Sequence, residues 1–294
     1  MNDDERPTFD LQSHSTYSDG TLPPAAVVQR AAAAGVELLA LTDHDTVDGV
    51  AEAQDAARRA GIRLLPATEL STIDGEYEDL HVVGYGIDHT NNAFRDTLAA
   101  FRADRAARAD RMADALEEHG WALDRTVLDE RRAAGLPIGR PHLAQAAFNH
   151  PHNVARIAEE HLQDFGTLLE AYLIPGAPAY RRRTTPTVAE AIDAIHLAGG
   201  AAVWAHPFWD VDAPEDVVGA IARFDAQGLD GVEAFYTTHT RAQTQTAYDA
   251  ATARGLLTTG SADFHGPDHP RFSSFRNFKT YNLPPRLPTD LTTT

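Results

Sequence analysis

Cysteine is absent from this 294-residue chain, so neither disulfides nor thiolate metal ligands are available to it. Any divalent ion held here must be held by imidazole, carboxylate or neutral oxygen. Lysine is nearly absent too: Lys279 is the only one, and the other cations are arginines, whose planar fork suits phosphate. Positive charge is scarce overall, with 25 Lys and Arg against 43 Asp and Glu and a formal charge of −18. That balance disfavours long non-specific contact with nucleic acid, and a small anionic ligand would need a local basic pocket. No apolar run approaches the length of a membrane span, and residues 1–7 are acidic with no apolar region behind them. The expectation is a cytoplasmic protein without leader, anchor or membrane partner. No Gly-x-Ser-x-Gly elbow and no Walker-type phosphate loop is present.

What is present is enough for a sizeable core, since 43% of the residues are hydrophobic, and the length fits one or two domains. A strand is expected around Phe9 and Leu11, a helix over 23–34 stopped by Gly35, and a strand over 38–41. A helix over 48–60 closed by Gly61, a strand over 63–67 delivering Glu69, and a strand over 80–85 containing His81 follow. From about residue 91 the pattern becomes helical: Phe94, Leu98, Phe101, Met112 and Leu116 share one face of a long helix ending at Gly120. Further helical stretches are expected over 143–148 and 152–169. The alternation then resumes, with helices over 187–198, 214–227 and 241–254 and strands over 201–205, 231–235 and 257–260. The tail from residue 282, rich in Pro and Thr, is expected to add little to the fold. This reads as a parallel α/β barrel in two segments, residues 1–90 and 181–294, interrupted by a helical insertion over 91–180.

His14, Asp19, His44, Glu69, His206, Asp263 and His265 all fall at or just past the carboxyl end of an expected strand. In a parallel barrel those ends converge on one face, where such folds place their chemistry. One histidine after one strand is ordinarily structural. Five of seven strands ending in such residues point to a metal centre, because imidazole and carboxylate on stiff backbone are what a divalent ion needs. His81 is less clear, lying inside its strand.

These residues resemble the PHP (polymerase and histidinol phosphatase) superfamily of metal-dependent phosphoesterases. The stretches that carry the resemblance are 10–20 (Asp-Leu-Gln-Ser-His-Ser-Thr-Tyr-Ser-Asp-Gly), 41–46 (Leu-Thr-Asp-His-Asp-Thr), 67–71, 79–88, 205–207 and 260–266 (Gly-Ser-Ala-Asp-Phe-His-Gly), in the family's order. The resemblance implies a distorted (β/α)7 barrel with two to three divalent metal ions, Mn, Fe or Zn. By motif, one ion would take His14, Glu69, Asp263 and residue 12, a second Glu69, His81 and His206, and a third Asp19, His44 and His265. Position 12 departs from the family's His-x-His: Gln12 is either a weak carbonyl ligand or a hydrogen-bonding neighbour of the site.

The implied reaction is hydrolysis of a phosphomonoester by a metal-bound hydroxide. The layout resembles the branch acting on nucleoside 3′,5′-bisphosphates or 5′-mononucleotides. The alternatives are 5′-to-3′ exoribonuclease action on short RNA and a non-catalytic domain that binds a phosphorylated ligand. Arg105 and Arg108, on the apolar face of the long helix, are either a phosphate clamp or arginines snorkelling to water. Arg140 and His142, in an Arg-Pro-His stretch that resembles the nucleotide phosphatase branch, are further phosphate candidates. Arg181, Arg182 and Arg183 read as a solvated linker face. Trp209 stacks on a base or, as the reading favours, fills the barrel rim. His142 and His239 are the candidate general acids.

Overall fold

The computed structural model describes residues 6–133 and 138–289. The chain forms two compact units, one of Met1–Leu98 and Thr185–Thr294 and the other of Ala99–Thr184.

The first unit is a seven-stranded sheet in the order β1-β2-β3-β4-β5-β6-β7. Its strands are β1 (Phe9–Asp10), β2 (Leu38–Leu41), β3 (Arg63–Asp74), β4 (Tyr77–Tyr85), β5 (Ala201–Trp204), β6 (Gly231–Tyr236) and β7 (Leu257–Ser261). β1 and β7 meet through the Leu11 N–H, which donates to the Gly260 carbonyl at 3.2 Å, and through a bridge between Ser13 and Phe264, so the sheet is a nearly closed barrel. Helices α1 (Pro24–Ala33) and α2 (Val50–Ala60) connect parallel strands at its start. Val27, Val28 and Ala31 of α1 and Ala53, Ala56 and Ala57 of α2 cluster with Leu39, Leu41, Phe264 and Phe275. The small residues of α2 let it lie close, and Gly61 ends it in the left-handed conformation at φ 72.

The expectation of an all-parallel barrel is corrected at one strand. β4 pairs antiparallel with both β3 and β5, while the other pairs are parallel. Only Gly75 and Glu76 separate β3 from β4, with Gly75 at φ 55. Two residues make a hairpin and are far too few for the crossover that a parallel neighbour needs. The tail also does more than expected: Arg286 exchanges backbone hydrogen bonds with Thr258 of β7.

The long helix α3 (Asn92–Glu118) is followed in the second unit by α4 (Arg125–Ala133), α5 (Arg140–Phe148), α6 (Val154–Glu159) and α7 (Phe165–Tyr172). The single helix expected over 152–169 is two, because His161 takes φ 55 and Asp164 caps a new start by accepting from the Thr167 N–H at 2.8 Å. Met112, Leu116, Trp121, Leu143 and Leu168 form that unit's core. Arg183, expected on a solvated face, is buried. Back in the barrel chain, α8 (Val188–Leu197), α9 (Pro214–Asp225) and α10 (Arg241–Thr252) follow, α8 and α10 each started by a threonine capping box. Among the described residues no helix is long and apolar enough to cross a membrane.

Candidate metal centre

The first motif leaves β1 as a tight loop. Gly20 N–H donates to the Ser15 carbonyl at 3.0 Å, and a Cβ at Gly20 would lie 2.2 Å from the His14 carbonyl oxygen. Only glycine lets this loop close over the backbone of His14 while carrying Asp19 back beside it. Asp43, just past β2, pins the loop from outside: it accepts from the Ser15 N–H at 2.6 Å, the Ser15 hydroxyl at 2.7 Å and the Ser18 hydroxyl at 2.8 Å. Its neighbour His44 is aimed into the barrel mouth. Glu69 sits inside the long strand β3 and His81 inside β4, so these two reach the site from a hairpin rather than from strand ends. Beyond β5 and β7, His206 and Asp263 hold φ 28 and φ 56, a left-handed backbone that costs non-glycine residues about 1–3 kcal/mol each. Such turns are tolerated where surrounding structure dictates the direction of a side chain.

The eight side chains His14, Asp19, His44, Glu69, His81, His206, Asp263 and His265 line one cavity of about 180 Å³ together with Trp209, Tyr236 and Phe272. His14 Nε2 lies 3.1 Å from both Glu69 Oε2 and Asp263 Oδ1. Glu69 Oε1 is 2.8 Å from His81 Nδ1 and 3.1 Å from His206 Nε2. Asp19 Oδ2 is 3.6 Å from both His44 Nε2 and His265 Nε2. Two sets, His14 with Asp19, His44 and His265, and His44 with Glu69 and His81, each offer ligand atoms within 4.8 Å of one another.

The decisive feature is direction. His14 Nε2, Glu69 Oε2 and Asp263 Oδ1 are buried and close, yet none has a hydrogen-bond partner. His44 Nδ1 and His206 Nδ1 are orphaned in the same way. A buried polar atom left unpaired costs about 1–3 kcal/mol, and a cation between these donors would remove that cost. The donor set of imidazole nitrogen and carboxylate oxygen fits a first-row divalent ion.

The electrostatics agree. Burial opposes ionisation of Glu69, but His44 and His81 beside it hold the carboxyl well below its usual range. Asp19 is likewise lowered, by His44 and His265 against burial. Burial would depress His206, but the Glu69 carboxylate outweighs it and raises the imidazole to about 9. His14 is raised for the same reason by Asp263 and Glu69, whereas burial brings His44 down to about 4. Around these groups sit supports that fix orientation. His265 Nδ1 donates to the Asp263 carbonyl at 2.7 Å, leaving Nε2 as an acceptor. Tyr236 donates to Asp263 Oδ2 at 2.7 Å. Glu233 accepts from the His206 N–H at 2.9 Å and the Ser261 hydroxyl at 2.6 Å, and burial pushes its carboxyl up to about 8.

Over residues 10–166 the sequence matches the family model for the PHP domain. The chain belongs to the PHP domain family. It is 36% identical over 263 residues to a 3′,5′-nucleoside bisphosphate phosphatase of Chromobacterium violaceum, covering 88% of this chain and 87% of that one. It is 33% identical to a 5′-3′ exoribonuclease of Haemophilus influenzae, over 88% of this chain and 90% of that one. A Bifidobacterium adolescentis protein assigned as a metal-dependent phosphoesterase shares the fold with a TM-score of 0.68 and 27% identity, over 91% of each chain.

Gln12 is buried with an unpartnered Oε1 but is not among the residues lining the cavity. Arg105, Arg108, Arg140 and His142 belong to the helical unit. There, Arg108 donates through Nε to the Arg181 carbonyl at 2.6 Å and lies 5.4 Å over the Tyr180 ring, while His142 Nδ1 accepts from the Gly139 N–H at 3.0 Å. His239 does not line the metal cavity; its Nδ1 donates to the Ala234 carbonyl and burial lowers it to about 4. Trp209 lines the cavity, 46% exposed, with Phe272 at 5.7 Å and the Arg271 guanidinium 5.3 Å over its ring. Asp43, Glu233 and Tyr236 were not singled out by the sequence reading. Asp43 alone carried a signal, as the neighbour of His44.

Proposed function

We propose that this PHP-family chain is a metal-dependent phosphoesterase that hydrolyses a phosphomonoester of a small nucleotide-like substrate, a nucleoside 3′,5′-bisphosphate or 5′-mononucleotide. The observation that carries this reading is the unpaired, convergent set of His14, Glu69 and Asp263 atoms beside His81, His206 and the Asp19 group. His14, Glu69 and Asp263 would hold one divalent ion, Glu69, His81 and His206 a second, and Asp19, His44 and His265 a third, of Mn, Fe or Zn character. Bound there, divalent ions supply Lewis acidity towards phosphoryl oxygens and lower the pKa of water.

The protein's own part is arrangement. Glu69 presents one carboxylate oxygen to His81 and His206 and the other to His14, so a single side chain fixes the spacing of neighbouring positions. Tyr236 and Glu233 keep Asp263 and His206 in their turned conformations. The exposed Trp209, with Arg271 above it and Phe272 at 5.7 Å, offers a flat, cationic platform at the cavity mouth on which a base can stack. Hydrolysis of short RNA from its 5′ end is the second reading, favoured by the 33% identity to the exoribonuclease and by the same platform. The −18 charge restricts either activity to small or short substrates.

Phosphate release from a panel of nucleoside bisphosphates, 5′-mononucleotides and short oligoribonucleotides in Mn²⁺ tests the reading. Turnover on bisphosphates or mononucleotides with intact oligomers supports the phosphatase. Preferential shortening of oligomers moves the assignment to the exoribonuclease, and no release from any of them leaves a phosphate-binding domain.

A further inference from the structure

Tyr236 is part of the wall of two cavities. The second, of about 370 Å³, has none of the metal ligands in its lining, and its wall carries Arg6, Arg241, Arg276 and Lys279. Among the described residues no carboxylate lines it, in a chain whose acids outnumber its cations by 43 to 25. Four cations around one concavity repel one another, and a low-dielectric wall focuses their potential onto whatever enters.

Their hydrogen-bonding states differ. The Arg276 guanidinium is committed, donating to the backbone carbonyls of Pro7 at 2.6 Å, Ala34 at 2.9 Å and Arg6 at 2.8 Å, so it contributes charge while its donors tie the chain together. Arg241 lies 5.6 Å over the Tyr281 ring. Arg6, Arg241 and Lys279 are exposed and have no carboxylate partner among the described residues. His239, on the same wall and 6% exposed, keeps its Nε2 without a partner.

We propose that this cavity is a second ligand site, separate from the metal centre, that binds a small phosphorylated anion through Lys279, Arg241 and Arg6. A doubly charged phosphate matches several cations and an arginine fork better than a single carboxylate does. The volume falls in the range of about 300–1,000 Å³ usual for small-molecule sites, and Tyr281 and Asn277 line it beside the cations. The inference does not depend on the reaction proposed above.

Isothermal titration of the full-length protein in excess chelator, with inorganic phosphate in one arm and AMP in the other, tests the site while the metal centre is stripped of ions. Saturable binding is expected, weakened about tenfold by Lys279→Gln and abolished by Arg241→Glu with Lys279→Glu. Those variants are expected to keep the wild-type unfolding midpoint and phosphate-release turnover. Equal affinity in the two arms assigns recognition to phosphate alone, and tighter AMP binding assigns part of it to the nucleoside; both support the site. Absence of binding in both arms overturns it, and so does binding unchanged in Lys279→Gln, whose exposed position guards against misfolding of the double variant.

Discussion

The two units of this chain differ in where their unpaired buried polar atoms gather. In the helical unit the core is apolar, and buried Asn153 is satisfied: its Oδ1 accepts from the Ala122 N–H at 3.0 Å, and its Nδ2 donates to the carbonyls of Ala122 at 2.8 Å and Ala147 at 2.7 Å. In the barrel, His14, Glu69 and Asp263 are as deeply buried, yet the atoms that face one another are unpaired. A buried amide that closes its hydrogen bonds stabilises a fold. Buried imidazoles and carboxylates that leave theirs open destabilise it until something else binds. The comparison therefore separates a unit in which an unpaired buried atom such as Trp121 Nε1 stands singly from one in which imidazole and carboxylate atoms are gathered as a cation would need.

The largest effect should come from the residue that the clusters share. Glu69→Gln removes the charge that faces His14, His81 and His206, and turnover is expected to fall by about 10³-fold or more together with metal content; phosphate release and elemental analysis check it, and retained activity would break the contrast between the units. In the helical unit, Leu168→Ala empties a fully buried core position and should cost about 2–5 kcal/mol, read by urea unfolding, with bound metal unchanged. A smaller effect is expected from Tyr236→Phe, which takes one donor from Asp263: metal affinity should weaken about tenfold with the fold intact. Wild-type affinity in that variant would mean the phenol only fills space.

The smallest effect concerns protons. With ions chelated away, His206 stays protonated up to about 9 and His14 well above the ordinary histidine range, held there by carboxylates against their burial. Each must lose its proton to offer a lone pair, so metal uptake at neutral pH should release protons and tighten as pH rises towards about 9. Titration heats that vary with the ionisation enthalpy of the buffer are the expected result; buffer-independent heats would contradict it.

Much of the barrel was readable in the sequence because apolar runs bounded by glycine fix strand ends. The run over 38–41 matches β2, and the side chains after it and after β5 and β7 reach the cavity as their positions imply. The direction of β4 was not readable from its apolar pattern, which is the same either way along; the signal was the two-residue link at Gly75 and Glu76. His81 lies within β4 as its position implies, whereas Glu69, expected just past a strand end, lies within the longer β3. Tyr236, Glu233 and the pairing of Arg286 with Thr258 depend on contacts between distant segments, and no local spacing encodes them. Trp209, beyond β5, both packs against Phe272 and keeps a face in solvent, so its two expected roles are not exclusive.

On the proposed function, divalent ions that the reaction requires fill the open valences of this cavity. The most direct measurement is phosphate release by chelator-treated, full-length protein as Mn²⁺ is returned stepwise, with bound metal determined at each step. Release that is absent at the start, grows with ion uptake and does not return in Glu69→Gln is the predicted result. Release that persists in protein stripped of detectable metal would contradict the account.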